Sequence, residues 1–157
     1  MASNFERMIK LAEDVFAAKN DPEQIDVDQG MIPRLQQLHP ATVSEYDDGQ
    51  GPVAWILIIP TTQDLMSRFL KHEISEKQLF EMTQPEISYD ALYLCSALVL
   101  EEYRRKGIAL RLTLNAIENI RKDHPIKSLF VWSFTDEGDM TADKIARLAS
   151  LPLHKRV

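Results

Sequence analysis

From Ala91 to Leu100 the chain reads Ala-Leu-Tyr-Leu-Cys-Ser-Ala-Leu-Val-Leu, uncharged throughout and apolar on both alternating faces. That pattern predicts a central strand covered on two sides. Val53 to Ile59 and Ser128 to Phe134 are shorter runs of the same kind. Thr42 to Tyr46 alternates weakly and is joined to Val53 by Asp47-Asp48-Gly49-Gln50-Gly51, which is turn chemistry, so the two segments predict an antiparallel hairpin. Other stretches recur at three and four residues instead. Phe5, Met8, Ile9, Ala12, Val15 and Phe16 form an apolar stripe behind a Ser3/Glu6 capping box, predicting a helix to about Lys19 that Asp21-Pro22 ends. Met31 to Leu38 predicts a second helix, with Pro33 in its first turn and His39-Pro40 stopping it.

Leu65, Met66, Phe69 and Leu70 make another stripe, and a Ser75/Gln78 capping box precedes Leu79, Phe80 and Met82. Leu110, Leu114, Ile117 and Ile120 share one helical face up to His124-Pro125, and Thr141 to Ser150 predicts a last short helix. The expected order is helix, helix, hairpin, helical insert at about 62–82, strand, helix, strand, helix. The fold class is α/β with a mixed sheet. It contains an antiparallel hairpin, a right-handed parallel strand-helix-strand unit from Ala91 to Phe134, and helices on both faces. Residues 1–157 read as a single domain, because the chain has no repeat, low-complexity segment or long linker.

Composition narrows the functional classes. The 18 Lys and Arg against 24 Asp and Glu leave a formal charge of −6, which disfavours nucleic acid, since that binding draws on cations displacing counterions. The single cysteine makes no internal disulfide and points to a reducing compartment, with cytoplasmic as the expectation. Charges among the first twenty residues argue against a targeting peptide. The longest uncharged apolar run, Gly51 to Thr62, is short of the ~20 residues that span a bilayer, so no membrane association is expected.

Candidate chemistry concentrates in Val99-Leu100-Glu101-Glu102-Tyr103-Arg104-Arg105-Lys106-Gly107-Ile108-Ala109-Leu110, which leaves a buried strand, turns and enters an amphipathic helix. Gly107 and small Ala109 clear the approach to the backbone, and the helix's first amides are unpaired donors at the positive end of its dipole. Arg104, Arg105 and Lys106 add side-chain charge, so the turn suits a diphosphate. It is neither a P-loop nor the three-glycine dinucleotide fingerprint.

Arg104-x-x-Gly107-x-Ala109 after a hydrophobic strand resembles the Gln/Arg-x-x-Gly-x-Gly/Ala motif of the GNAT superfamily of N-acetyltransferases. The resemblance extends over about Tyr89 to Phe134, and loosely over the hairpin and first two helices. It implies acetyl-CoA as cosubstrate, with the amides of Arg105, Lys106, Gly107, Ile108 and Ala109 on the diphosphate and Arg104 shaping the loop. Ala97, Leu98 and Val99 fall where the family's central strand splays from its neighbour and meets the pantetheine arm. A backbone N–H there would face the acetyl carbonyl, stabilising the oxyanion of acyl transfer. The implied reaction is direct attack by an unidentified amine, which could be a small amine, an aminoglycoside, an amino acid or a protein. A non-catalytic module that binds CoA or a protein partner is the alternative.

The chain departs from the family pattern in starting directly with a helix, in its insert, and in having only Leu153 to Val157 after the last helix. The family commonly places two more strands there, and the sheet edge they would cover suits a second copy of the chain, a homodimer. The family's usual strand carboxylate is matched in position by Tyr93. A tyrosine with a pKa near ~10 is a poor base, though it could orient water or act as an acid. Its common acid tyrosine has no counterpart after Tyr103, and Ser133 and Thr135 are nearby substitutes without a motif. Cys95 has no recognisable histidine partner, and the four histidines show no metal-ligand spacing, so no metal is expected. Acidic groups at Glu45, Asp47, Asp48 and at Asp136, Glu137, Asp139 read as solvated loops, or as a rim that attracts a protonated amine.

Overall fold

A computed structural model describes residues 2–19, 31–133 and 135–157. In chain order the elements are α1 (Asn4–Lys19), α2 (Met31–Leu38), β1 (Val43–Asp47), β2 (Pro52–Thr61), α3 (Gln63–Leu70), α4 (Glu76–Met82), β3 (Ala91–Val99), α5 (Ile108–Asp123), β4 (Ser128–Val131), α6 (Asp136–Ala149) and β5 (Leu153–Lys155). Short 3-10 turns cover Pro40–Thr42 and Glu101–Tyr103. The side chain of Phe16, the Asp21-Pro22 stop and Phe134 lie outside the described residues.

The strands form one mixed sheet in the order β1-β2-β3-β4-β5. β1 with β2 and β2 with β3 are antiparallel, whereas β3 with β4 and β4 with β5 are parallel. β2 is buried at every position except Trp55, which requires cover on both sheet faces. The starts of α3 and α4 are fixed by side chains. Thr62 Oγ1 accepts the Leu65 amide at 3.3 Å, and Ser75 and Gln78 complete a reciprocal capping box at 2.9 and 3.1 Å.

Two expectations are corrected. The last helix begins at Asp136, five residues earlier than the apolar pattern indicates. Thr135 Oγ1 accepts the Gly138 amide at 3.0 Å, and Asp136, Glu137 and Asp139 complement the positive end of the dipole. This acidic cluster is a helical first turn rather than a loop. After that helix the chain forms β5, which the sequence reading did not include. Leu153, His154 and Lys155 pair in parallel with Leu129, Phe130 and Val131. Three residues of mixed polarity carry no alternation; the open edge of β4 selects the extended backbone. The Arg156 amide continues the pairing to Val131 O at 2.9 Å, and Lys155 Nζ reaches Asp139 and Asp143 at 3.0 Å each.

Candidate functional site

β3 runs from Ala91 to Val99, but β4 accompanies it only from Ala91 to Leu94. Beyond Leu94 its described neighbour is β2 alone. At the same point the β2 register jumps from Ile58↔Leu94 to Leu57↔Ser96, leaving Cys95 as a bulge. A bulge bends the strand and raises its twist, which carries β3 away from β4. The Leu100 amide reaches back to Val53 O at 2.9 Å. Because backbone groups alternate sides along an antiparallel strand, Leu98 turns its N–H and C=O to β2 as Leu100 does. Ala97 and Val99 turn theirs towards the opening.

Of the three residues the sequence placed at the splay, Ala97 is exposed, Val99 is half-buried and Leu98 is buried with Met8, Val53 and Leu100. Ala97 is exposed although it lies in the middle strand of the sheet, beyond the last residue that β4 accompanies. Two buried hydroxyls, Ser96 Oγ and Ser133 Oγ, have no hydrogen-bond partner among the described residues. Continuing the Leu94↔Val131 register by two residues makes them counterparts on the diverging segments.

The turn after β3 is built from backbone. The Tyr103 and Arg104 amides close the 3-10 turn onto Leu100 O and Glu101 O at 2.9 and 3.2 Å. Arg104 Nε donates to Val99 O at 3.1 Å, tying the loop to the strand end. Arg105 (φ 64°) and Gly107 (φ 75°) then adopt left-handed backbone, and the first intrahelical bond shown for this end runs from the Arg111 amide to Gly107 O at 3.0 Å. Gly107 is the N-cap and supplies no side-chain acceptor, so the amides of the first turn of α5 remain for an outside partner. A Cβ at Gly107 would meet nothing within 4 Å. Left-handed φ explains the glycine, and the space in front of it is open.

The site residues of this turn divide by what they expose. The side chains of Arg104, Arg105 and Lys106 are in solvent, whereas Ile108 is buried and Ala109 packs partly on the core, so the last two offer amides alone. Lys106 Nζ lies 5.5 Å from the centroid of the Tyr103 ring. The turn's neighbours are charged as well. The Arg7 guanidinium grips Glu102 at 2.6 and 2.8 Å and holds that carboxyl down to about 2. Tyr103 Oη donates to Asp48 Oδ2 at 2.5 Å; this bond is the main reason that the Asp48 pKa is lowered and the Tyr103 pKa raised.

Tyr93 is placed inside the core, with 1% of its surface exposed. Its ring stacks on Phe130 at 5.0 Å and meets Phe69 edge-on at 5.2 Å, while its hydroxyl donates to Glu76 Oε2. Burial first, then the Glu76 charge, pushes the hydroxyl well above the ordinary tyrosine pKa, so it stays protonated at neutral pH and does not supply a base. Buried Glu76 opens α4, and the buried Arg156 guanidinium lies 4.4 Å over both Phe69 and Trp132. Neither residue was singled out from the sequence: a glutamate after a cap serine reads as a helix start, and an arginine near the chain end reads as surface.

The histidines are less isolated than their spacing indicates. His39 Nε2 meets Asp123 Oδ2 at 2.6 Å, its Nδ1 accepts the Ala41 amide at 3.0 Å, and its ring is 6.0 Å from that of His124. Among the described residues no group of three or more His, Cys, Asp or Glu could hold a metal. An open depression of about 420 Å³, lined by His39, Ser44, Asn119, Lys122 and Asp123 among others, adjoins this pair. It lies at the far end of the 16-residue α5, roughly 24 Å from the Gly107 turn. No described helix is long and apolar enough to cross a membrane.

No protein-family model matches the chain, and no curated protein matches it. Among solved structures it is similar to "The NatB Acetyltransferase Complex Bound To bisubstrate inhibitor", at 17% identity and a TM-score of 0.49 over 86% of this chain and 68% of that one.

Proposed function

We propose that the chain is a GNAT-like acyltransferase that takes acetyl-CoA as donor and an amine as acceptor. The observation that carries this reading is one continuous feature: β3 loses its parallel partner after Leu94 and leads into a left-handed turn whose N-cap, Gly107, supplies no side-chain acceptor to the helix start and has open space where a Cβ would stand. The turn from Arg105 to Ala109 supplies amides for the diphosphate, and Arg104 holds the loop against Val99. Along the opening, the N–H groups of Ala97 and Val99 are available to the pantetheine arm. The orphaned Ser96 and Ser133 hydroxyls fit the same occupant, since buried polar groups lacking partners call for a missing one.

In the reaction the amine lone pair forms the C–N bond at the thioester carbonyl and an N–H of β3 stabilises the oxyanion; as the oxyanion collapses the C–S bond breaks, and the proton lost by the acylated nitrogen balances the one taken up by the departing CoA thiolate. The acceptor must arrive neutral or lose its proton first, which the acidic residues flanking the turn favour only by attracting the cation. Tyr93 serves this site by holding β3 against Glu76 rather than by exchanging a proton with the amine. The cell interior suits both the cosubstrate and a chain whose single cysteine makes no internal disulfide.

Acetyl-CoA at millimolar concentration should raise the melting temperature, and Gly107→Glu should abolish the shift by putting bulk and negative charge into the open space before the amides. Absence of a shift in the wild type would overturn the proposal. Sealing of the Tyr93 hydroxyl in the core supports a second reading, a non-catalytic module that binds CoA. Thiol release across a panel of amines separates the two, because the module binds acetyl-CoA yet releases no CoA.

A further inference from the structure

The anion turn is flanked on its N-terminal side by contacts whose partners come from distant parts of the chain. Glu102 is held by Arg7 of α1 through two hydrogen bonds of 2.6 and 2.8 Å. The next residue, Tyr103, donates to Asp48 in the β1–β2 turn. The other carboxylate oxygen of Asp48 accepts Asn4 Nδ2 at 3.1 Å, and the same amide reaches Gly51 O at 3.4 Å. Gly51, with φ 117°, lies flush on the start of α1: a Cβ there would come within 3.1 Å of Asn4 Cβ. The start of α1, the hairpin turn and the 3-10 turn at Glu101–Tyr103 therefore form one hydrogen-bonded unit ending one residue before Arg104.

We infer that Asp48 and Arg7 are positioning residues for the anion turn, clamping Tyr103 and Glu102 so that the amides of residues 105–109 are held ready for a diphosphate. The inference rests on the acetyl-CoA reading of that turn. Its physical basis is that the turn has little internal support. Two of its residues are left-handed, its N-cap has no side-chain acceptor, and among the described residues its side-chain tie to β3 is Arg104 Nε on Val99 O. A loop that must present several donors at once binds in proportion to the fraction of time it is correctly shaped. The Tyr103 ring also carries the Lys106 ammonium over its face, so the bond to Asp48 orients a cation at the same site.

The test compares Arg7→Ala/Asp48→Ala with two repaired proteins. Asp48→Asn keeps a carbonyl oxygen to accept the Tyr103 hydroxyl, and Arg7→Glu/Glu102→Arg restores the pair with its charges exchanged. Backbone ¹⁵N order parameters of residues 105–109 are measured on ligand-free protein, and the Kd for CoA is measured by calorimetry. In the double alanine variant the order parameters should fall from the rigid range near 0.85 towards about 0.6. The Kd should rise about tenfold while the melting temperature falls only slightly, since an exposed ion pair contributes little to stability, and both repaired proteins should recover most of the loss. Wild-type order parameters in the double variant would overturn the clamp, as would repaired proteins that lose as much as it does. If wild-type protein shows no affinity for CoA, the acetyl-CoA reading fails, and the order parameters still decide whether the clamp holds the turn.

Discussion

The two halves of β3 are chemically alike and structurally opposite. Ala91, Leu92 and Tyr93 are flanked by β2 and β4 and have at most 1% of their surface exposed. Cys95 to Val99 are just as free of charge, yet they have lost β4, carry a bulge and expose Ala97. The first half is core, and the second is paired on one side only among the described residues. An uninterrupted apolar sequence thus says that a strand is central, but not how far along its length the next strand follows it.

Substitutions can break that comparison. Leu92→Ala empties a fully buried site between paired strands and should cost about 2–5 kcal/mol in urea unfolding. Tyr93→Phe removes the buried donor to Glu76 and should cost about 1–3 kcal/mol. Its kcat should stay close to wild type; a fall of about 100-fold or more would make Tyr93 a proton-transfer group and sink its assignment to the core. Ala97→Leu, in the open half, should change stability by no more than about 0.5 kcal/mol while reducing the thermal shift with acetyl-CoA. Loss of stability comparable to Leu92→Ala would show that the second half of β3 is core after all.

Acid should act on the surroundings of both halves. His124 Nδ1 accepts the Tyr89 amide at 3.3 Å, and burial first, then His39, holds the His124 pKa below 6.5. The folded form therefore takes up this proton less readily than the unfolded form. The contribution is complete above 6.5 and is lost as pH falls through the lowered folded value. Melting temperatures should decline modestly on the acid side of 6.5, and His124→Asn should flatten that part of the profile. A second decline belongs to Glu102, whose stabilisation by Arg7 is present above 4.5 and disappears as pH falls through about 2. In Glu102→Gln this lower limb should weaken.

Much of the architecture was legible because it rests on local periodicity. The capping box at Ser75, the helix stop before Pro125, the hairpin and the buried strands all follow from residues within one or two turns of each other. The turn before α5 was legible as a turn for the same reason: a glycine, flanking cations and a following amphipathic stretch are adjacent in the chain. The start of α6 escaped because it depends on a Thr135 cap and acidic first-turn residues, not on apolar positions. β5 escaped because Leu-His-Lys becomes a strand only against the exposed edge of β4.

The sequence by itself determined the type of most elements, the mixed character of the sheet and the position of the glycine turn before α5, since each is specified by neighbours along the chain. Only the tertiary structure decided that β3 parts from β4 at Leu94, that Tyr93 is closed in by Glu76, and that Asp48 and Arg7 reach the turn from 55 and 95 residues away. The physical reason is separation: hydrogen bonds between remote residues leave no periodic trace, because many sequences can place a carboxylate or a guanidinium at such a point in space.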